Sequence, residues 1–224
     1  MPELRWPERP APGETGTGHL DVSVPPSVTA RLDARAAALG ASRFVVLLSA
    51  WADTLAEVCG QRDFAVGVPV AERTLPELEQ TVGCLITMVP VRLRGAAVDG
   101  GEDGVRETGN CVHRAFSRSD VPLHGRGPEQ RAGHARPPAG VPVPVRPPGQ
   151  PAAPARPARR RRHASAPAVR RPPLELHLEV WPDEHGTLDA VLSYRRDTVT
   201  AATAGKLLDG FHDRLALLAT GAPS

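Results

Sequence analysis

SRFVVLLSAWADTLAEVCGQRDFAVGVPVAERTLPELEQTVGCLITMVPVRLR, residues 42 to 94, is the stretch that decides the fold. Its first part reads as a capped helix from Ser42 to Cys59. Ser42 is placed to accept from the first free amides, and Phe44, Leu47, Leu48, Trp51, Leu55 and Val58 recur at helical spacing. Gly60 can close the helix in a left-handed conformation. A strand and turn follow over Asp63–Arg73, where Phe64, Val66, Val68 and Val70 alternate with small or polar neighbours. After a short acidic segment, Leu75–Gln80, a second strand is read over Val82–Leu93, and its run Val82–Val91 is almost wholly apolar, as in a central strand covered on both faces.

Outward from this stretch the pattern stays mixed α/β. Residues 1–18, with prolines at 2, 7, 10 and 12 and a Gly-Thr-Gly at 16–18, read as a flexible, extended lead-in. A strand at His19–Val24 and a helix from about Ser27 to Leu39, stopped by Gly40, complete the approach. Beyond Arg94, Gly95–Gly104 reads as a loop and Val105–Ser117 as a helix. From Leu174 the residues Leu176, Leu178 and Val180, and after an Asp183–Gly186 turn Leu188, Ala190, Leu192 and Tyr194, alternate as a hairpin with one buried face. Thr200 can cap a last helix striped by Leu207, Leu208, Phe211, Leu215 and Leu218, and Gly221 can end it.

The strand DFAVGVPVAER (63–73) followed by VGCLITMVPVR (82–92) resembles the condensation domain of nonribosomal peptide synthetases. That family shows a Gly-x-Pro-x-x-x-Arg turn and then a Gly-x-Phe-x-Asn-Thr-x-x-x-Arg strand at this separation. Gly67, Pro69, Arg73, Gly83 and Arg92 match, while Cys84 and Thr87 stand where Phe and Asn are usual. The segment Arg118–Leu123 is similar to the family's His-Gln-Asp-x-Pro-Phe through Asp120 and Pro122. The resemblance covers 19–123 and 174–221 and implies the C-terminal half of a chloramphenicol acetyltransferase-like α/β sandwich. It also implies a parent activity, amide bond formation between carrier-tethered acyl and aminoacyl groups in secondary-metabolite and antibiotic biosynthesis.

The family acts through a His-His-x-x-x-Asp-Gly motif in its N-terminal lobe, whose second His assists attack of an acceptor amine on a thioester. None of the 224 residues forms that motif, and the eight histidines are isolated from one another. No residue is therefore assigned as catalytic. The resemblance gives Gly67, Pro69, Gly83, Thr87, Arg92, Asp120 and Pro122 structural or interface roles, and it pairs Arg73 with the motif's Asp across the lobe interface. It implies no directly bound cofactor, phosphopantetheine on a partner carrier protein, and as partners a carrier protein, other synthetase domains or a separate N-terminal lobe. Alone, the chain is expected to be inactive. The alternatives are a non-catalytic docking module and a remnant of a gene.

Composition sets the other expectations. The net charge of +2 hides an asymmetry: residues 124–173 hold eleven Arg and one acid, Glu129, and thirteen of the 25 prolines. That block has no aromatic residue and no leucine, so it reads as a disordered linker that interrupts the domain. A pair of compensating frameshifts is the rival explanation. Read one nucleotide later, Gly125–Glu129 permits Val-Glu-Ala-Leu, and Val141–Val145 permits an alternating strand. The Arg159–Arg162 run lacks the interleaved aromatics and flanking fold of a nucleic-acid site. Cys59, Cys84 and Cys111 lack metal or disulfide spacing and read as buried thiols of a reducing compartment. With no apolar run of spanning length, the chain is read as cytoplasmic.

Overall fold

The computed structural model describes residues 4–71, 86–117 and 174–221. Helix α2 (Arg43–Cys59) lies at the centre. The Ser42 hydroxyl accepts from the Val45 amide at 3.3 Å, and Gly60 closes the far end at φ 63°. Val46, Leu48, Trp51, Ala52 and Leu55 have no exposed surface. A helix buried on nearly every side must be enclosed by other elements, and three helices enclose it: α1 (Pro26–Ala38), α3 (Gly101–Phe116) and α4 (Ala201–Thr220).

The α2–α4 seam is tight because small residues line it. A methyl group added to Gly210 would stand 3.2 Å from Thr54 Cγ2. Trp51 meets Phe211 edge to face, with ring centroids 5.8 Å apart. Arg214 reaches from α4 to Asp53 at 2.6 Å and to Glu57, and Arg43 ties α2 to α1 through Asp33 at 2.6 and 2.5 Å. The α4 caps are the expected ones: Thr200 accepts from the Thr203 amide at 3.0 Å, and Gly221 adopts φ 69°.

Two antiparallel units complete the core. β1 (Thr17–Val24), β5 (Leu188–Arg195) and β4 (Leu176–Pro182) form a sheet in that order. Leu20 is opposite Leu192, and Leu178 is opposite the same residue on the other side, so one face is apolar throughout. Gly18 lies under the Tyr194 ring, where even a methyl group would be 2.2 Å from Cζ. In the β4–β5 turn Asp183 Oδ1 accepts from the amides of His185 (2.8 Å) and Thr187 (2.7 Å). β2 (Asp63–Ala71) pairs with β3 (Ile86–Arg94) in a register that sets Phe64 against Leu93, Val66 against Val91 and Val68 against Val89, all buried.

Three expectations change. β3 is fully covered on one face only: Val89, Val91 and Leu93 are buried, while on the other Met88 and Pro90 are half-buried, Arg92 and Arg94 are exposed and Ile86 is 58% exposed. Pro90 and Met88 made the run look continuous, but both fall on the outward parity of the ladder. The stretch read as a loop over Gly95–Gly104 is instead a 3-10 turn, Gly95–Val98, and the start of α3. Ala97 and Val98 anchor that turn in the core, Gly100 and Gly101 at positive φ redirect the chain, and Glu102 and Asp103 suit the amino end of a helix. The lead-in read as flexible has no helix or strand over residues 4–16, yet Leu4 and Trp6 pack against the core. The Leu75–Gln80 segment and the 124–173 block lie outside the described residues.

Among the described residues no single helix is long and apolar enough to cross a membrane. α1 and α2 pass that test only as a pair bent by 102°, and the apolar side chains of α2 are already used in the core.

Candidate functional site

The residues singled out by the motif gather on the β2–β3 hairpin. Strand parity assigns their faces. Phe64, Val66 and Val68 point to the core, so Asp63, Ala65, Gly67 and Pro69 share the opposite face. Across the ladder Gly67 is opposite Pro90, Pro69 is opposite Met88 and Arg92 is opposite Ala65. Gly67 is buried, Pro69 half-buried and Arg92 exposed. Both prolines fall at positions of one parity, so their missing N–H groups cost the ladder between the two strands nothing if the intervening pairs carry its hydrogen bonds. Thr87, opposite Val70, belongs to the other parity, and the structure separates it from Gly67, Pro69 and Arg92.

Arg92 has a specific partner. Its Nε donates to Asp63 Oδ1 at 2.8 Å and its terminal nitrogen to Oδ2 at 2.5 Å, a two-pronged pair across the hairpin. The hydrogen bonds from Arg92 hold the Asp63 carboxyl below the usual carboxylate range. Spacing alone did not reveal this pair. The signal was there in the acid that opens β2 and the arginines that close β3, but it becomes readable only once the register is known. Arg73, Gly83, Asp120 and Pro122 lie outside the described residues.

The groups that could move protons lie on other elements. His19 on β1 has Nδ1 2.9 Å from Ser193 Oγ. His177 is on β4, where burial lowers its pKa, and His185 is exposed in the β4–β5 turn. His113 and His212 belong to α3 and α4, and His124, His134 and His163 lie outside the described residues. Burial pushes the Cys59 thiol up to about 12 and raises Cys111 as well, so neither is a ready nucleophile at neutral pH. Cys84 lies outside the described residues. Among the described residues no group of three or more His, Cys, Asp or Glu could hold a metal ion. An open groove of about 310 Å³ lies between Pro10, Ala11 and Glu14 of the lead-in and Tyr194, Arg196 and Thr200. It shares no residue with the hairpin.

The hairpin is thus a shaped surface with one fixed ion pair, and its motif is accompanied by a match along nearly the whole chain. The model of the condensation domain family matches residues 1–221. The chain belongs to the condensation domain family. Phosphinothricin tripeptide synthetase PhsB of Streptomyces viridochromogenes is 38% identical over 107 residues, 48% of this chain and 9% of that protein. Nonribosomal peptide synthetase penN of Penicillium thymicola is 26% identical over 216 residues, 92% of this chain and 7% of that protein. The condensation domain of the Monacolin K polyketide synthase MokA superposes with a TM-score of 0.69 at 16% identity, over 98% of this chain and 53% of that one.

The condensation domain therefore has here the chloramphenicol acetyltransferase-like α/β fold, and the chain spans about half of the MokA domain structure. It spans less than a tenth of each of the two synthetases.

Proposed function

We propose that this chain supplies the C-terminal half of a condensation site that forms an amide bond between carrier-bound acyl and aminoacyl groups. The observation that carries this reading is the family match through residues 1–221, with Gly67, Pro69 and Arg92 on one face of the β2–β3 hairpin. In this role the hairpin is framework. The catalytic histidine comes from a half bearing His-His-x-x-x-Asp-Gly, and Arg73 meets the Asp of that motif. Each thioester arrives on the phosphopantetheine arm of a carrier protein, so the chain itself needs no bound cofactor. The partners are carrier and synthetase domains, and the setting is the cytoplasm, where such carriers are loaded.

The test is complementation. The chain, mixed or fused with a condensation half carrying the histidine motif and two loaded carrier proteins, should yield the amide product by mass spectrometry. Arg73→Ala should reduce that yield at least tenfold. Carrier binding with no product from any such mixture would replace this reading with a docking module. The composition of residues 124–173, eleven Arg and thirteen Pro, supports a second reading in which the block is a frameshift product and the chain a piece of a whole condensation domain. Resequencing the locus tests it: a shifted frame that restores an apolar helix and strand over 124–173 identifies such a piece, whereas a sequence that stands makes the basic linker real and favours a non-catalytic binding role.

A further inference from the structure

By composition the segment ahead of β1 is a tether. Pro7, Pro10 and Pro12 stiffen it, and Gly13 and Gly16, at φ 92° and 87°, make that short run its natural bending point. The contacts upstream of the glycines are of another kind. The Arg5 amide donates to Gln61 Oε1 at 2.6 Å, where α2 gives way to β2. Trp6 packs against the core, and its Nε1 donates to Glu175 Oε2 at 3.1 Å, just ahead of β4. Glu8 Oε2 accepts from Thr200 Oγ1 at 3.0 Å, and its Oε1 accepts from Lys206 Nζ at 3.1 Å. Three anchors, at residues 5, 6 and 8, therefore reach elements early and late in the chain.

We propose that residues 4–14 are a strap, anchored by Trp6 on the core and tied by Glu8 to the amino end of α4, which makes the segment ahead of β1 part of this folded body rather than a tether that bends at Gly13–Gly16.

Glu8 acts at a sensitive place. Thr200 Oγ1 lies 3.0 Å from both Glu8 Oε2 and Thr203 Oγ1 while accepting from the Thr203 amide, so the strap and the first turn of α4 together hold the rotamer of the residue that caps the helix. A carboxylate at that end of a helix is also favoured by the helix dipole. Hydrogen bonds from Lys206 and Thr200 keep the Glu8 carboxyl below its ordinary pKa. Trp6 adds an apolar anchor with its N–H satisfied. Between the anchors and β1 the strap arches: Pro10, Ala11 and Glu14 wall the open groove, and the strap rejoins the sheet where the Arg196 amide donates to the Gly16 carbonyl at 3.0 Å. Any part of a protein joined ahead of residue 4 would then enter this half beside Trp6 at a fixed angle, rather than swing about the glycines. This extends beyond the amide-forming role and stands or falls without it.

Hydrogen exchange read by mass spectrometry on the full chain tests it. In the wild-type chain the Arg5 amide, bonded to Gln61 Oε1, and the Glu14 amide, bonded to the Ala11 carbonyl, should slow the exchange of peptides covering 4–14 relative to an unfolded segment of the same sequence. Glu8→Ala should accelerate the strap and residues 200–206 by roughly two- to threefold, the modest loss of an exposed pair, while α2 and β5 stay unchanged. Trp6→Ala should accelerate the strap alone, and Lys206→Gln should reproduce the Glu8→Ala pattern more weakly. Exchange of 4–14 at the unfolded rate in the wild-type chain would overturn the strap. So would a Glu8→Ala profile identical to the wild type, or one accelerated equally everywhere, since neither isolates a local lock.

Discussion

Asp63 and Arg92 show what one residue pair contributes at an exposed position. Both side chains keep more than two-fifths of their surface in water, at 41% and 48%, so the pair is screened and modest even with its two-pronged geometry. Its signature is its pH dependence. The hydrogen bonds from Arg92 depress the Asp63 carboxyl, so whatever stability the pair adds is fully present above the ordinary carboxylate pKa, about 3.9. That contribution disappears as pH falls through the lowered value. The difference in urea midpoint between the wild type and Asp63→Asn should therefore be constant above about pH 5 and shrink as the pH falls through the lowered carboxyl pKa. A difference that grew on acidification would mean that Asp63 does not stabilise the fold through Arg92.

Burial decides which ion pairs matter between elements. Arg214 of α4 is 17% exposed beside Asp53 of α2, which is 21% exposed, whereas Arg106 of α3 is 53% exposed beside Glu102 and Asp103. Removing Arg214 leaves a half-buried carboxylate unpaired in the α2–α4 seam, and Arg214→Ala should cost about 1–3 kcal/mol. Arg106→Ala should cost less than about 0.5 kcal/mol, because solvent and salt already screen its partners. Paired chemical denaturation curves give both numbers, and equal losses would show that the α2–α4 seam does not depend on Arg214. The elements themselves were largely legible. α2 and α4 announced both of their caps, and the β4–β5 hairpin announced its alternation, because those signals lie within a few residues of one another. What stayed hidden depended on distant partners. Pro90 and Met88 read as core until the register placed them outward, α3 began four residues early because glycines and a buried 3-10 turn precede it, and Trp6 and Glu8 looked like linker until Glu175 and Thr200 came into reach. At the candidate site, motif spacing singled out Gly67, Pro69 and Arg92, while the Asp63 pair required the fold.

The outward face of the hairpin matters most for the whole molecule. Ile86, Met88 and Pro90 follow one another on the outward parity of β3, opposite Ala71, Pro69 and Gly67, with Ile86 58% exposed. Met88, Pro90 and Pro69 are half-buried and Gly67 is buried, so Ile86 is the exposed apolar end of a face that further cover would complete. The chain spans about half of the condensation domain structure it resembles, and the proposed function would set a second half against this face. Without that partner, the same face is available to other copies of the chain. Sedimentation velocity across a concentration series should therefore show self-association. Ile86→Glu should weaken it at least tenfold without lowering the melting temperature, because that side chain contributes little to the core. The complementing half should compete with self-association for the same face, so its addition should dissolve the oligomers of the wild-type chain. A chain that stays monomeric at every concentration with a single cooperative melt would show that the hairpin face is stable in water, and the case for a second half bound there would then have to rest on activity alone.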